Sequence, residues 1–138
     1  MEKDIESLEF EFSKALSLNY AGSNTHFFDF MDDRALFIDD DQTNILNLSE
    51  MRDHLDFHGA GVWESMEIKH YDIRSYIVAD TGVVTSNYTI RGKPVSTGFR
   101  IRHGVCSASC YFDEKKGWKA MSIVLGPMIS YIRNASPT

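Results

Sequence analysis

The second half of the chain alternates apolar and polar residues with a period of two, and this pattern constrains the fold more than any other feature. It begins at Trp63, where the helical spacing of the first half ends. Alternation of this kind is typical of strands that pack one face on a core. We therefore predict strands at 64–78, 83–91, 95–112 and 118–125,. The first is much longer than a usual strand of about five to six residues, which indicates a sheet curved around a cavity.

The first predicted strand changes phase near His70. The apolar residues before it share one parity and those after it share the other: Met66 and Ile68, then Tyr71, Ile73 and Ile77. One extra residue in a strand exchanges its two faces, so we predict a β-bulge or bend at this point.

The predicted strand 95–112 carries large apolar residues at odd positions and two arginines at even positions. The odd set is expected to face the core: Phe99, Ile101, His103, Val105 and Ser107. Arg100, Arg102 and Cys106 are then expected to face outward, toward solvent or a partner sheet.

The first half of the chain reads as helices around one short strand. A stripe at helical spacing predicts a helix from about Asp4 to Asn19, with Asp4 as its cap: Ile5, Leu8, Phe12, Ala15 and Leu16,. Further helices are predicted at 25–31 and 50–57, the last capped by Ser49, and a strand at 35–38. Helices followed by a meander predict an α+β fold, with a cone-shaped curved antiparallel sheet wrapped around the N-terminal helices and enclosing an apolar pocket.

Composition restricts the partners. The 138 residues predict a single domain, 1–138, and the apolar fraction of 43% is that of a water-soluble protein,. A net charge of -6 argues against nucleic acid, which needs clustered basic residues,. No apolar run reaches membrane-span length, and the acidic start lacks the features of a signal peptide, so we expect a cytoplasmic protein,.

Cys106 and Cys110 lie about 13 Å apart on a strand, too far for a disulfide, and are expected to be reduced and semi-buried.

Four segments resemble the nuclear-transport-factor-two-like superfamily, in its SnoaL-like and ketosteroid-isomerase-like branches. They are FFDFMDDRALFIDDD (27–41), NLSEMRDHL (47–55), VVTSNYTIRGKPV (83–95) and DEKKGWKAMSI (113–123). The resemblance covers nearly the whole chain and implies the cone fold and a homodimer formed through the outer sheet face. The superfamily holds isomerases, cyclases, dehydratases and epoxide hydrolases as well as non-catalytic binding or association domains.

The resemblance also implies one catalytic residue. Asp39, at the end of ALFID, matches the general-base Asp of ketosteroid isomerases. The oxyanion-hole Tyr of that branch falls on Ala15 and its second acid falls near Val105, so ketosteroid isomerase activity itself is not predicted. His103, on the face expected to be buried, is the predicted partner acid or orienting group opposite Asp39.

The predicted pocket is apolar with a few polar groups, as small-molecule sites generally are. Its expected lining is Phe12, Leu16, Tyr20, Phe27, Phe37, Leu55, His58, Trp63, Tyr88, Phe99, Met121 and Leu125. We expect a small apolar molecule as ligand and neither a cofactor nor a metal.

Two metal hypotheses remain open at this point. His54 and His58 have the i, i+4 spacing of a helical metal site, although the Glu of the HExxH motif is missing,. Residues 39–50 also resemble a degenerate calcium loop with Asn44 in place of the usual Gly, in which 35–38 would end the entering helix,.

The sequence thus supports two functions. The first is a SnoaL-like enzyme of isomerase, cyclase or dehydratase type that uses an Asp base on an apolar, carbonyl-bearing substrate. The second is a non-catalytic ligand-binding or dimerisation module of the same fold.

Overall fold

The computed structural model describes residues 2–18, 24–38, 45–57, 63–94 and 98–128, with the backbone alone for residues 53–57, 63 and 94. Within these ranges lie three helices and six strands: α1 (Ile5–Leu16), α2 (Thr25–Phe30), β1 (Met31–Ile38), β2 (Ile45–Leu46), α3 (Leu48–Phe57), β3 (Trp63–Val78), β4 (Thr81–Pro94), β5 (Arg100–Asp113) and β6 (Gly117–Pro127). None of the helices in the described part of the chain is both long and apolar enough to span a membrane.

The strands form one curved sheet in the order β2-β1-β6-β5-β4-β3. Only β1 and β6 run parallel; the long strands β3 to β6 form an antiparallel meander. The helix α1 packs on the inner face of this sheet, so the predicted α+β cone is confirmed. We call the face under α1 the inner face and the opposite one the outer face.

Helix α1 begins with a reciprocal cap. The Asp4 carboxylate accepts a hydrogen bond from the Ser7 amide at 2.7 Å, and the Ser7 hydroxyl accepts one from the Asp4 amide,. The predicted apolar stripe is buried at Leu8, Phe12, Ala15 and Leu16, whereas Ile5 is 48% exposed. These buried residues therefore pack α1 against the sheet from Leu8 onward.

The predicted bulge in β3 is confirmed. Asp72 and Ile73 together lie opposite Ser86 of β4, and Asp72 has a positive φ of 54°,. After the bulge, Ile73 and Ile77 pack against the core. Tyr71 was predicted to share the face of Ile73 and Ile77. It is exposed instead, because it precedes the bulge.

The predicted orientation of β5 is wrong. Its buried residues are the small ones at even positions, Gly104, Cys106, Ala108 and Cys110, while the large residues at odd positions face outward and are exposed: Phe99, Ile101, His103 and Val105. The space available in the core explains why the small residues of β5 face inward. A Cβ built on Gly104 would overlap the Tyr88 ring and the Gly126 carbonyl oxygen, so the interior has no room there for a larger residue,.

The two cysteines are buried by the same arrangement, more fully than predicted. Both are free thiols, and burial raises the pKa of each to about 12,. They are therefore small apolar core residues with little thiolate at neutral pH.

Two details of the segment from α2 to α3 differ from the sequence prediction. Helix α2 ends at Phe30 and β1 begins at once at Met31, so 35–38 lies inside a strand and cannot be the end of a calcium-site helix. The cap of α3 is Asn47 rather than Ser49: the Asn47 side chain accepts from the Glu50 amide at 2.9 Å, and the Glu50 carboxylate accepts from the Asn47 amide at 3.0 Å,.

Candidate functional site

The inner face of the sheet carries one imidazole among apolar side chains. His70 lies on β3 just before the bulge, opposite Tyr88 of β4, and Tyr88 in turn lies opposite Gly104 of β5. The His70 ring meets the Phe12 ring of α1 edge to face, with centroids 5.3 Å apart. His70 is half-buried, whereas Phe12 and Tyr88 are fully buried.

Hydrogen bonds fix the tautomer of His70. Its Nε2 lies 3.1 Å from the Leu16 carbonyl oxygen and its Nδ1 lies 2.7 Å from the Ser86 hydroxyl. A carbonyl oxygen only accepts, so Nε2 carries the proton and the lone pair is on Nδ1, where the Ser86 hydroxyl donates to it. The bulge contributes to this contact because it lies directly opposite Ser86, two residues beyond His70.

Burial makes His70 neutral. Desolvation lowers its pKa from 6.5 to about 4, while the bond to the Leu16 carbonyl raises it and offsets part of that effect,. At neutral pH the ring is thus an uncharged base with an oriented lone pair. Ser86 is the only polar residue among the fully buried ones in the described ranges, at 3% exposure.

This arrangement can accept a proton. The lone pair of a neutral imidazole, held by a backbone carbonyl on the far nitrogen, has the orientation that a general base requires. The Ser86 hydroxyl occupies Nδ1 in the structure, so a substrate proton could reach this nitrogen only if the hydroxyl turned away. The rings of Phe12 and Tyr88 lie beside the imidazole, and such an apolar environment strengthens electrostatic interactions with any charge that forms nearby.

The structure brings some predicted site residues together and separates others. Six predicted lining residues are buried in the core: Phe12, Leu16, Phe27, Phe37, Tyr88 and Leu125. Asp39, Tyr20 and His58 lie outside the described residues, as do the side chains of His54, Leu55 and Trp63.

Three predicted site residues lie away from the inner face. His103 and Phe99 are exposed on the outer side of β5, and Met121 is 40% exposed at an irregularity of β6. The His103 Nδ1 lies 3.1 Å from the Thr89 hydroxyl. The predicted inward position of His103 is therefore wrong, because the large residues of β5 face outward.

Sequence reasoning missed His70 and Ser86 as site residues, although it held the necessary signal. His70 shares the parity of Met66 and Ile68 before the phase change, and Ser86 shares the parity of Val84 and Tyr88. In the structure, these even-numbered positions of β3 and β4 are the ones that face the core.

A polar cleft of about 300 Å³ opens on the outside of the molecule between α2, β1, α3 and the β5–β6 turn. At its base the Asp32 carboxylate accepts hydrogen bonds from the Tyr111 hydroxyl and the Arg34 amide, which lower the pKa of Asp32 to about 2. Lys119 donates to the Asp29 carbonyl oxygen at the end of α2,. The first of these bonds joins β1 to β5, and the bond of Lys119 joins β6 to α2.

No family model matches the chain, and a comparison with curated proteins found no match either. Solved structures do match. LinA superposes with a TM-score of 0.73 at 11% identity, over 91% of this chain and 84% of LinA. The hub of the S. rosetta CaMKII gives 0.67 at 15% identity, over 90% and 94% of the two chains.

An NTF2-like superfamily protein from Salmonella enterica serovar Typhimurium gives a TM-score of 0.64 at 13% identity, over 91% of this chain and 87% of the other. At such identities the match concerns the backbone and leaves the chemistry open. The curved six-stranded sheet, the helix on its inner face and these superpositions show that the chain has the NTF2-like fold.

Proposed function

We propose that the protein is a small-molecule enzyme that moves a proton within the cone, with His70 as its base. The observation that carries this proposal is the neutral, oriented imidazole of His70, which packs against Phe12 and Tyr88 on the inner face. A polarised C–H group next to a carbonyl would give its proton to Nδ1 and leave an enolate and an imidazolium. The reaction class is that of isomerases, cyclases and dehydratases.

The low pKa of His70 is compatible with its role as a base, because this pKa can rise during the reaction. Desolvation penalises the imidazolium only while no counter-charge is present. A substrate that becomes an enolate supplies a negative charge beside the ring, so the pKa of His70 rises as the proton arrives. The same site then returns the proton to a different atom of the substrate.

Asp39 remains a proposed second base of this site, beside His70. It follows Ile38, the last residue of β1, whose neighbour Phe37 is buried in the core. In this proposal Asp39 assists or replaces His70 as the base, as the sequence resemblance implies. His103 has no part in it, because its side chain lies on the outer face.

Deuterium exchange tests the proposal without knowledge of the natural substrate. A panel of cyclic ketones and β-keto acids in D2O should show protein-dependent exchange at the carbon next to the carbonyl. This exchange is measured by NMR. We expect His70→Asn to slow this exchange by about 100-fold or more. His103→Asn, a matched change of an exposed imidazole on β5, should leave the rate within about twofold.

The variants separate the candidate bases. Equal exchange by the native protein and by His70→Asn would remove His70 from the mechanism. Unchanged exchange by Asp39→Asn would remove Asp39. Exchange that equals the buffer rate across the whole panel would contradict an enolising enzyme altogether.

The outer face supports a second candidate function, assembly into a homodimer. Exposed apolar side chains lie on three strands of this face, β1, β3 and β5, and just before β5: Leu36, Tyr71, Tyr76, Ile101, Val105 and Phe99. Exposed clusters of this kind commonly mark interaction surfaces. The similarity to a CaMKII hub in backbone structure also favours this candidate.

Charge insertion tests the dimer. Val105→Glu places a carboxylate at the middle of β5 on the outer face, and we expect it to convert a dimer into a monomer in analytical ultracentrifugation. Phe10→Glu is the matched control, since Phe10 is 62% exposed but lies on α1, away from this face. A native protein that sediments as a monomer, or a dimer that Val105→Glu leaves intact, would contradict assembly through this face.

A further inference from the structure

The polar cleft between α2, β1, α3 and the β5–β6 turn owes its shape to an irregularity of β1. Met31 of β1 pairs with Ala120 of β6 and Leu36 pairs with Ser122, so β1 advances five residues while β6 advances two. Residues 32–35 therefore leave the regular ladder. An irregularity of this kind directs side chains to places that a regular strand would not reach. The two aspartates of this segment line the cleft.

The first of these aspartates is used inside the protein. The Asp32 carboxylate accepts hydrogen bonds from the Tyr111 hydroxyl and from the Arg34 amide at 2.9 Å, and the Arg34 Nε lies 3.2 Å from it. Its side chain is only 15% exposed. Asp32 therefore holds the displaced segment on the sheet, and its charge is matched by Arg34.

Five other charged side chains line the cleft, and they carry both signs: Asp29, Asp33, Arg52, Lys116 and Lys119. None of the ion pairs in the described part of the chain joins one of these acids to one of these bases. Charges of both signs thus face the same small space without being matched to each other.

Two of the bases are held in place by contacts that leave donors available. The Arg52 guanidinium carbon lies 4.3 Å from the centroid of the Phe28 ring, and a guanidinium in such a contact can still donate from its N–H groups,. The Lys119 ammonium donates to the Asp29 carbonyl oxygen and has two further protons,. Side chains that are already restrained lose less conformational entropy when a ligand binds.

The size and the charges of the cleft restrict the ligand. A volume of about 300 Å³ is at the lower end of the range for small-molecule sites,. A simple anion would be repelled by the acids of the cleft, and a simple cation would be repelled by its bases. A molecule with one charge of each sign complements both sets. Phe28, Met31 and Leu48 add an apolar part to the wall.

We infer that this cleft binds a small zwitterion of the α-amino-acid class. The basic side chains bind its carboxylate, and Asp29 and Asp33 bind its ammonium group. An apolar side chain of the ligand lies against Phe28 and Leu48. The cleft shares no residue with the site around His70, so this inference is independent of the proposed proton-transfer enzyme.

The probes are three molecules of nearly the same shape. L-leucine carries both charges near neutral pH, L-leucinamide lacks the carboxylate, and 4-methylpentanoate lacks the ammonium group. Binding is followed by titration of the ¹⁵N-labelled protein in two-dimensional NMR. We expect L-leucine to bind with a dissociation constant of about 1 mM and to shift the amide resonances of Asp33 and Arg52. Each of the other two should bind about tenfold more weakly or worse.

Variants that remove one sign of charge should change the preference in opposite directions. The double variant Asp29→Asn/Asp33→Asn should weaken L-leucine binding about tenfold and strengthen the binding of 4-methylpentanoate, because the repulsion of a carboxylate is removed. Arg52→Gln should also weaken L-leucine binding about tenfold, but it should strengthen the binding of L-leucinamide.

Two exposed residues of the β5–β6 turn outside the cleft lining provide matched controls. Glu114→Gln removes a negative charge and Lys115→Gln removes a positive one. Each should change L-leucine binding less than about twofold.

Four results would overturn the inference. The first is the absence of saturable L-leucine binding. The second is binding of L-leucinamide or of 4-methylpentanoate as tight as that of L-leucine, which would indicate a site for a single charge. The third is native L-leucine affinity in the double aspartate variant. The fourth is an equal loss of affinity in Arg52→Gln and Lys115→Gln, which would indicate a general effect of surface charge. All of the substituted side chains except Asp29 and Asp33 lie outside the strand β1, and all are exposed, so the variants are expected to fold,.

Discussion

Acidification from neutral pH to about pH 4 is expected to destabilise the folded protein by about 3 kcal/mol through His70 alone. The folded pKa of His70 is about 4, because the ring is buried, while the unfolded chain titrates near 6.5. Between these values the unfolded state binds more protons than the native state, so stability falls as the pH falls. Each pKa unit corresponds to about 1.4 kcal/mol. Above pH 6.5 the contribution is fully present, and below about pH 4 the loss is complete.

Urea denaturation at a series of pH values measures this effect. Carboxylates contribute to the same range, so the informative quantity is the difference between the native protein and His70→Asn, whose side chain does not titrate. The native free energy of unfolding should fall by about 3 kcal/mol more than that of the variant between pH 7 and 4. A His70→Asn curve parallel to the native one would show that His70 is solvated or paired in the folded protein.

The fold was predictable because its signals are local. Alternation defined β3 to β6, and the helical stripe with an acidic cap defined α1. The bulge at Asp72 also followed from a change of parity within one strand. Each of these features depends on residues that are near one another in sequence.

The orientation of β5 was not predictable from β5 itself. One parity carries large apolar residues such as Ile101 and Val105, and the other carries small ones such as Gly104 and Ala108. Hydrophobicity favours the large set for the core. The interior instead admits the small set, because Tyr88 of β4 already fills the volume next to Gly104,. The available space is a property of the assembled sheet.

The candidate site was predictable only in part, because its hydrogen bonds join residues that are far apart in the sequence. The inward parity of His70 could be read from the sequence, but its partners could not: Ser86 is 16 residues away and the Leu16 carbonyl is 54 residues away. The Asp32–Tyr111 bond, across 79 residues, is a similar case. Because the orientation of β5 was also predicted wrongly, the sequence offered the wrong imidazole, His103. It also placed Arg102 on the outer face, whereas Arg102 shares the parity of the buried residues of β5.

Gly104→Ala is expected to destabilise the protein by about 2–3 kcal/mol, although it adds a single methyl group. The new Cβ would overlap two atoms of the Tyr88 ring system, Cζ and the hydroxyl oxygen, and the Gly126 carbonyl oxygen as well. Tyr88 is fully buried and cannot swing into solvent. The Gly126 oxygen belongs to the backbone of β6, which β5 pairs along its length. Relief therefore requires the strands to separate or the Tyr88 ring to move toward His70.

Gly98→Ala is the control for this change, because a Cβ at Gly98 has no atom within 4 Å. Its free energy of unfolding should stay within about 0.5 kcal/mol of the native value. Equal stabilities of the two alanine variants would show that the inner face has spare room at Gly104. A destabilised Gly104→Ala protein should also show displaced NMR resonances at His70, since the Tyr88 ring centroid lies 6.1 Å from that of His70. The small residue at 104 thus keeps Tyr88 in place, and Tyr88 in turn forms one wall of the site around the His70 imidazole.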